Sequence, residues 1–137
     1  MSNKFIELKP FDLKSGQINL PGSKSISNRI LLLSSLAKGN TVIKNFLFSD
    51  DTEVMISALT KLEINIKKNK KLNQCIVKGS DNLFPIKNAN LYIGNAGTAI
   101  RPLTAALAFN NGDYKLHGTN RMHERPIKDL VDSLNSI

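Results

Sequence analysis

Asn90-Leu91-Tyr92-Ile93-Gly94-Asn95-Ala96-Gly97-Thr98-Ala99-Ile100-Arg101-Pro102 is the stretch that decides the fold. Its β-rich start, Asn90 to Ile93, reads as a short strand that runs into a turn marked by two glycines. Leu103, Ala106 and Leu107 then recur at helical spacing, with Thr98 as candidate N-cap and Pro102 fitting a first helical turn. Tyr114-Lys115-Leu116-His117 reads as the next strand. Strand, helix, strand is the grammar of an α/β or α+β protein with helices packed on a sheet.

The rest of the chain fits that class. From Ser23 the sequence turns helical, with Ile26, Ile30, Leu33 and Ala37 as the expected apolar stripe and Gly39-Asn40 as the stop. Thr41 to Phe46 is β-rich. Ser49-Asp50-Asp51-Thr52 offers an N-cap and first-turn acids for a helix through Met55, Leu59 and Leu62. Glu63–Lys68 and Gln74–Lys78 read as a hairpin around the lysine-rich turn at 67–71. Pro126 opens a last helix with Ile127, Leu130, Val131 and Leu134 as its stripe. Alternation of apolar and polar residues over 5–20 predicts a half-buried strand or hairpin, ended by Pro21-Gly22.

Composition excludes several function classes. The 137 residues carry a formal net charge of +8, yet of 19 basic residues 15 are Lys and four are Arg. The eight aromatics are not interleaved with basic residues as stacking platforms for nucleic acid require. No apolar run is long enough to span a membrane. Met1 to Glu7 lacks the shape of a secretory signal, and the single Cys75 precludes an internal disulfide, so a cytoplasmic location is expected. Cys75 itself reads as a small strand residue. Two histidines and one cysteine do not furnish a common zinc site.

Where Lys is the default cation, Arg marks places that need a planar, forked, permanent charge. Arg29, Arg101, Arg121 and Arg125 lie in three Gly- or Pro-marked stretches. In Pro21-Gly22-Ser23-Lys24-Ser25-Ile26-Ser27-Asn28-Arg29, a turn opening a helix offers free amides, hydroxyls and an ammonium, a setting for an anion. Ser25 and Arg29 share a helical face there. The plainer reading is a Ser N-cap with solvated Lys and Arg. In the 94–102 stretch the glycines permit close approach of a ligand; the plainer reading is a tight turn with Arg101 exposed. In Asn120-Arg121-Met122-His123-Glu124-Arg125-Pro126, a guanidinium can fork onto a carboxylate or phosphate, with Glu124 able to orient one of the arginines. His123 lacks any partner visible in the sequence, and Asp50-Asp51 fits helix capping better than an acid/base pair.

Taken together, 20–29, Ser49-Asp50-Asp51-Thr52, 94–103 and Arg121 to Ile127 closely resemble the 5-enolpyruvylshikimate-3-phosphate synthase (3-phosphoshikimate 1-carboxyvinyltransferase) family. The resemblance implies a two-lobed fold of β-α-β-α-β-β units. Residues 1–20 would be a strand segment of the other lobe, and 21–137 part of one lobe. It implies transfer of the enolpyruvyl group of phosphoenolpyruvate to the 5-hydroxyl of shikimate 3-phosphate, with no metal or organic cofactor and no nucleic-acid or membrane partner. Lys24, Ser25 and Arg29 would hold shikimate 3-phosphate, and Lys24 would also touch phosphoenolpyruvate. Gly97 would lie against phosphoenolpyruvate and Arg125 would clamp it, with Asn95, Asp51 and Arg101 as neighbours. Thr98 and Pro102 would shape the helix behind Gly97, where glyphosate competes in this family.

Two departures stand out. His123 replaces the family's usual Lys or Arg. Family members are also much longer, and their general acid, general base and second set of arginines have no counterpart here. The chain alone is therefore expected to be inactive, and marginal or aggregation-prone without its missing half, although the family is typically monomeric. Alternatives are an inactive remnant, a non-enzymatic basic anion-binding module, and the related UDP-N-acetylglucosamine enolpyruvyl transferase, whose motifs match less well.

Overall fold

The computed structural model describes residues 6–10 and 15–137. In chain order the elements are α1 (Lys24–Leu36), β1 (Asn40–Ile43), α2 (Asp50–Lys61), β2 (Asn65–Asn69), β3 (Gln74–Lys78), β4 (Asn88–Tyr92), α3 (Gly97–Ala108), β5 (Asp113–His117), α4 (Asn120–His123) and α5 (Lys128–Asn135). A single 3-10 turn, Lys70–Leu72, closes the β2–β3 hairpin where the lysine run was expected to turn.

β3 is central to an antiparallel sheet, order β1-β3-β2, with Val77 opposite both Thr41 and Ile66. Its alternation is clean: Cys75 and Val77 point into the core while Ile76 is 39% exposed. β4 and β5 pair in parallel, Leu91 opposite Leu116, and α3 crosses between them. α1, α2 and α3 pack on one another; the larger sheet lies against α1, with α2 touching its β2 edge, and the smaller against α2 and α3. Leu31, Met55, Leu59, Leu91, Ile93 and Leu103 meet there at full burial. No helix of the described residues is long and apolar enough to cross a membrane.

Three expectations need correction. The α1 stripe faces the wrong way: Ile26, Ile30 and Leu33 are 60%, 40% and 63% exposed, whereas Ser27, Asn28, Leu31, Leu32, Ser34 and Ser35 are buried. Two of the buried hydroxyls find partners within the protein. Ser35 Oγ donates to the Leu31 carbonyl (2.8 Å), and Ser27 Oγ accepts from the Leu47 amide (3.1 Å). Small residues on this face let α1 pack close to α2 and α3. Secondly, no strand forms at 6–10 or 15–20, where Ile6, Leu8, Ile18 and Leu20 are 77–87% exposed. Alternation cannot by itself supply the paired edge a strand needs; Phe5 and 11–14 lie outside the described residues. Thirdly, α3 begins at Gly97, so Pro102 is its sixth residue, inside the helix. The ring removes a backbone donor there, one turn beyond the Thr98 carbonyl. The residues before the last helix also form a turn of their own, α4.

Candidate anion-binding cleft

The N-termini of α1, α2 and α3 converge on one cleft of about 590 Å³, lined among others by Lys24, Asp51, Asn95, Gly97, Thr98 and Arg125. Each wall has a local cause. At α1, Ser23 caps the helix, its Oγ accepting from Ile26 N–H (3.4 Å), which leaves Lys24 as the first helical residue at the cleft rim. Gly22 makes that entry possible: a Cβ there would stand 2.0 Å from the Asn45 carbonyl oxygen. At α2, Ser49 N–H donates to Thr52 Oγ1 (2.8 Å), which sets Asp50 and Asp51 in the first turn. At α3, Gly94 takes φ +55°, and its carbonyl accepts from Thr119 N–H (2.9 Å), tying the strand-to-helix turn to the start of α4.

Arg125 comes to the cleft from α4's far end. Its Nε donates to Asn95 Oδ1 (3.1 Å). Its guanidinium lies over Gly97 so closely that a Cβ on that residue would stand 2.5 Å from Nη1 and 3.2 Å from Cζ. Asn95 orients the fork without neutralising it, because an amide carries no charge. Lys24 is different: its Nζ is 3.0 Å from Asp51 Oδ2. Two cations and two carboxylates (Asp50 and Asp51) thus line the cleft, and the cation without a carboxylate partner among the described residues is Arg125. The arrangement can hold an anion at Arg125, beside the first amides of α3.

Ser25 and Arg29 follow Lys24 on α1 but do not line the cleft; Ser25 is half-buried and Arg29 exposed. Arg101 Nη1 donates to the Pro126 carbonyl (3.0 Å) and lines a neighbouring hollow of about 430 Å³ that shares Gly97 and Arg125 with the cleft. His123 faces that hollow too. Arg121 is spent on Glu124, 2.6 Å away at the surface. Thr98 does not cap α3; the N-cap is Ala96, and the Thr98 hydroxyl lies 3.4 Å from Asp51 Oδ2 and 2.8 Å from Asn28 Nδ2. Asn28 was not singled out from sequence, because it lies off the expected apolar stripe and nothing local marks it as buried.

Comparison with known proteins matches residues 9–137 to the EPSP synthase (3-phosphoshikimate 1-carboxyvinyltransferase) family. The 3-phosphoshikimate 1-carboxyvinyltransferase of Paraburkholderia phytofirmans is 57% identical over 134 residues, 98% of this chain and 30% of the relative. That of Burkholderia multivorans is 56% identical over 133 residues, again 30% of its length. A solved EPSP synthase from Acinetobacter baumannii superposes with a TM-score of 0.81 at 25% identity, covering 88% of this chain and 27% of the other. The chain spans about 30% of the length of the curated relatives it matches. With motifs, architecture and relatives in agreement over nearly its whole extent, the chain belongs to the EPSP synthase family.

Proposed function

We propose that this chain supplies anion-holding parts of a carboxyvinyl transferase that moves the enolpyruvyl group of phosphoenolpyruvate to the 5-hydroxyl of shikimate 3-phosphate. The observation that carries this reading is the Arg125 guanidinium, oriented by Asn95 and seated on Gly97 across the cleft from Lys24. Arg125 offers its remaining N–H groups to the phosphate or carboxylate of phosphoenolpyruvate. Lys24 sits where it can reach either substrate once Asp51 yields it, with Ser25 and Arg29 beyond for the shikimate phosphate. Such fixed donors favour a transition state in which charge redistributes over the transferred group and its phosphate.

In the reaction the 5-hydroxyl oxygen bonds to C2 of phosphoenolpyruvate and gives up its proton while C3 takes one, so the double bond is saturated. The C2–O bond to phosphate then breaks and C3 loses a proton, which restores the double bond and balances atoms and charge. The groups that move those protons are expected in the rest of the relatives' length, as are the lobe that receives residues 1–20 and the remainder of the lobe beginning at 21. Action in the cytoplasm belongs to the same reading. The test is titration of the 137-residue chain with phosphoenolpyruvate and shikimate 3-phosphate by NMR. Perturbations should centre on Lys24, Gly97, Thr98 and Arg125 and vanish in Arg125→Ala, and the chain alone should give no turnover. Perturbations confined to the surface lysines, or product formed by the chain alone, would overturn the reading.

A further inference from the structure

Four side chains from three helices form one hydrogen-bonded line from the interior to the cleft. Asn28 on α1 is fully buried. Its Nδ2 is 2.8 Å from Thr98 Oγ1 on α3, which is 3.4 Å from Asp51 Oδ2 on α2; the same carboxylate oxygen is 3.0 Å from Lys24 Nζ. Chemistry at the ends fixes the direction. A carboxylate only accepts and an ammonium only donates. The single proton of the Thr98 hydroxyl therefore goes to Asp51, and its lone pair takes the Asn28 N–H. If the Asn28 amide were turned over, its oxygen would compete for that proton and Asp51 would lose its donor.

Asn28 Oδ1 has no hydrogen-bond partner among the described residues. A leucine of similar size would fill the same space without stranding an oxygen, so what the position gains from asparagine is the N–H. We propose that Asn28 is a positioning residue: by holding the Thr98 hydroxyl it steers that proton to Asp51, and the carboxylate so fixed keeps Lys24 at the cleft instead of in bulk water. The Thr98–Asp51 contact is the longest link, so the test is aimed there.

The inference rests on the cleft being an anion site, and the measurements separate the two. In the ligand-free 137-residue chain, NMR couplings should show one Thr98 χ1 rotamer, and ¹³Cε relaxation should show Lys24 more ordered than other surface lysines. Asn28→Leu should average the Thr98 rotamers and release Lys24; Asn28→Ala, which also removes the N–H and offers Thr98 no acceptor, carries the same test if the leucine variant does not fold. Affinity for inorganic phosphate should fall about 3- to 10-fold in Asn28→Leu, the loss of one neutral hydrogen bond. Thr98→Val should match that loss, the two together should lose no more than either, and Thr98→Ser should restore it. Unchanged Thr98 couplings in Asn28→Leu, additive losses, or failure of serine to rescue would each overturn the proposal. If the unaltered chain takes no phosphate, the reading of the cleft as an anion site fails, while the ligand-free Thr98 and Lys24 signals still decide the role of Asn28.

Discussion

Gly97→Ala separates what the cleft needs from what the fold needs. The added Cβ would meet Arg125 Nη1 at 2.5 Å, and ordinary contact begins near 3.4 Å, so the guanidinium must retreat by about 0.9 Å. That motion strains the 3.1 Å bond from Arg125 Nε to Asn95. The neighbour that yields is the end of a long, exposed side chain, not backbone, and Gly97 has no positive φ. Alanine also favours a helical position over glycine by up to ~1 kcal/mol, against a lost hydrogen bond of about 0.5–1.5 kcal/mol. Net stability should therefore change by less than ~1 kcal/mol, a melting shift within ~5 °C.

Binding should respond far more. An anion at Arg125 loses charge-assisted bonds worth about 1.5–3 kcal/mol, which is roughly a 10- to 100-fold loss of affinity. The assay pairs thermal unfolding with calorimetric titration of phosphoenolpyruvate, with Arg125→Ala run alongside as the limiting case. The reasoning fails if Gly97→Ala binds within about twofold of the unaltered chain. It fails equally if the variant melts more than ~10 °C lower, since the fold would then be what the glycine serves.

The exposed apolar face of α1 should drive concentration-dependent association, and Ile30→Lys with Leu33→Lys should reduce it in sedimentation velocity without lowering the melting point. Leu31→Ala, on the buried face, should instead cost about 2–5 kcal/mol in denaturant unfolding. Glu53 is held below the usual carboxylate range, chiefly by its hydrogen bond to Lys68 (2.8 Å) and also by Lys70, against the opposing effect of burial. A depressed carboxylate stabilises the fold above its unfolded value of 4.5 and loses that contribution as pH falls through its folded value. Glu53→Gln should then melt below the unaltered chain at pH 7, and the gap should shrink as pH falls below 4.5; a constant gap would refute the link. Burial pushes the Cys75 thiol up to about 11, so thiol reagents at about pH 8 should label it only on unfolding.

Local features were legible in the sequence and cross-chain ones were not. The Lys70–Leu72 turn, the Ser49 cap and the turn through Gly94 are each decided within a few residues, so spacing and residue type suffice. The inward face of α1 is decided by what α2 and α3 bring against it. Ser35 and Ser27 satisfy their hydroxyls at Leu31 O and Leu47 N, which helps make a polar face buriable and defeats an apolar-stripe reading. Thr98 shows the same limit: position alone marks it as a cap, while its hydroxyl is engaged by Asn28, 70 residues earlier in the chain.

The arginines were selected from composition, and only one of them uses its shape in the cleft. Arg121 forms a surface pair with Glu124 that Lys would form nearly as well, and Arg101 donates one bond to a backbone carbonyl. Arg125 places Nε on Asn95 while Nη1 lies over Gly97, two separate contacts from one rigid plane. A lysine ammonium is a single point that must choose between the Asn95 oxygen and a bound anion. Arg125→Lys keeps the charge and removes the fork, so it should lose most of the affinity that Arg125→Ala loses. If instead it retained full affinity for phosphoenolpyruvate, charge alone would account for the site, and the close fit of guanidinium on glycine would have no bearing on binding.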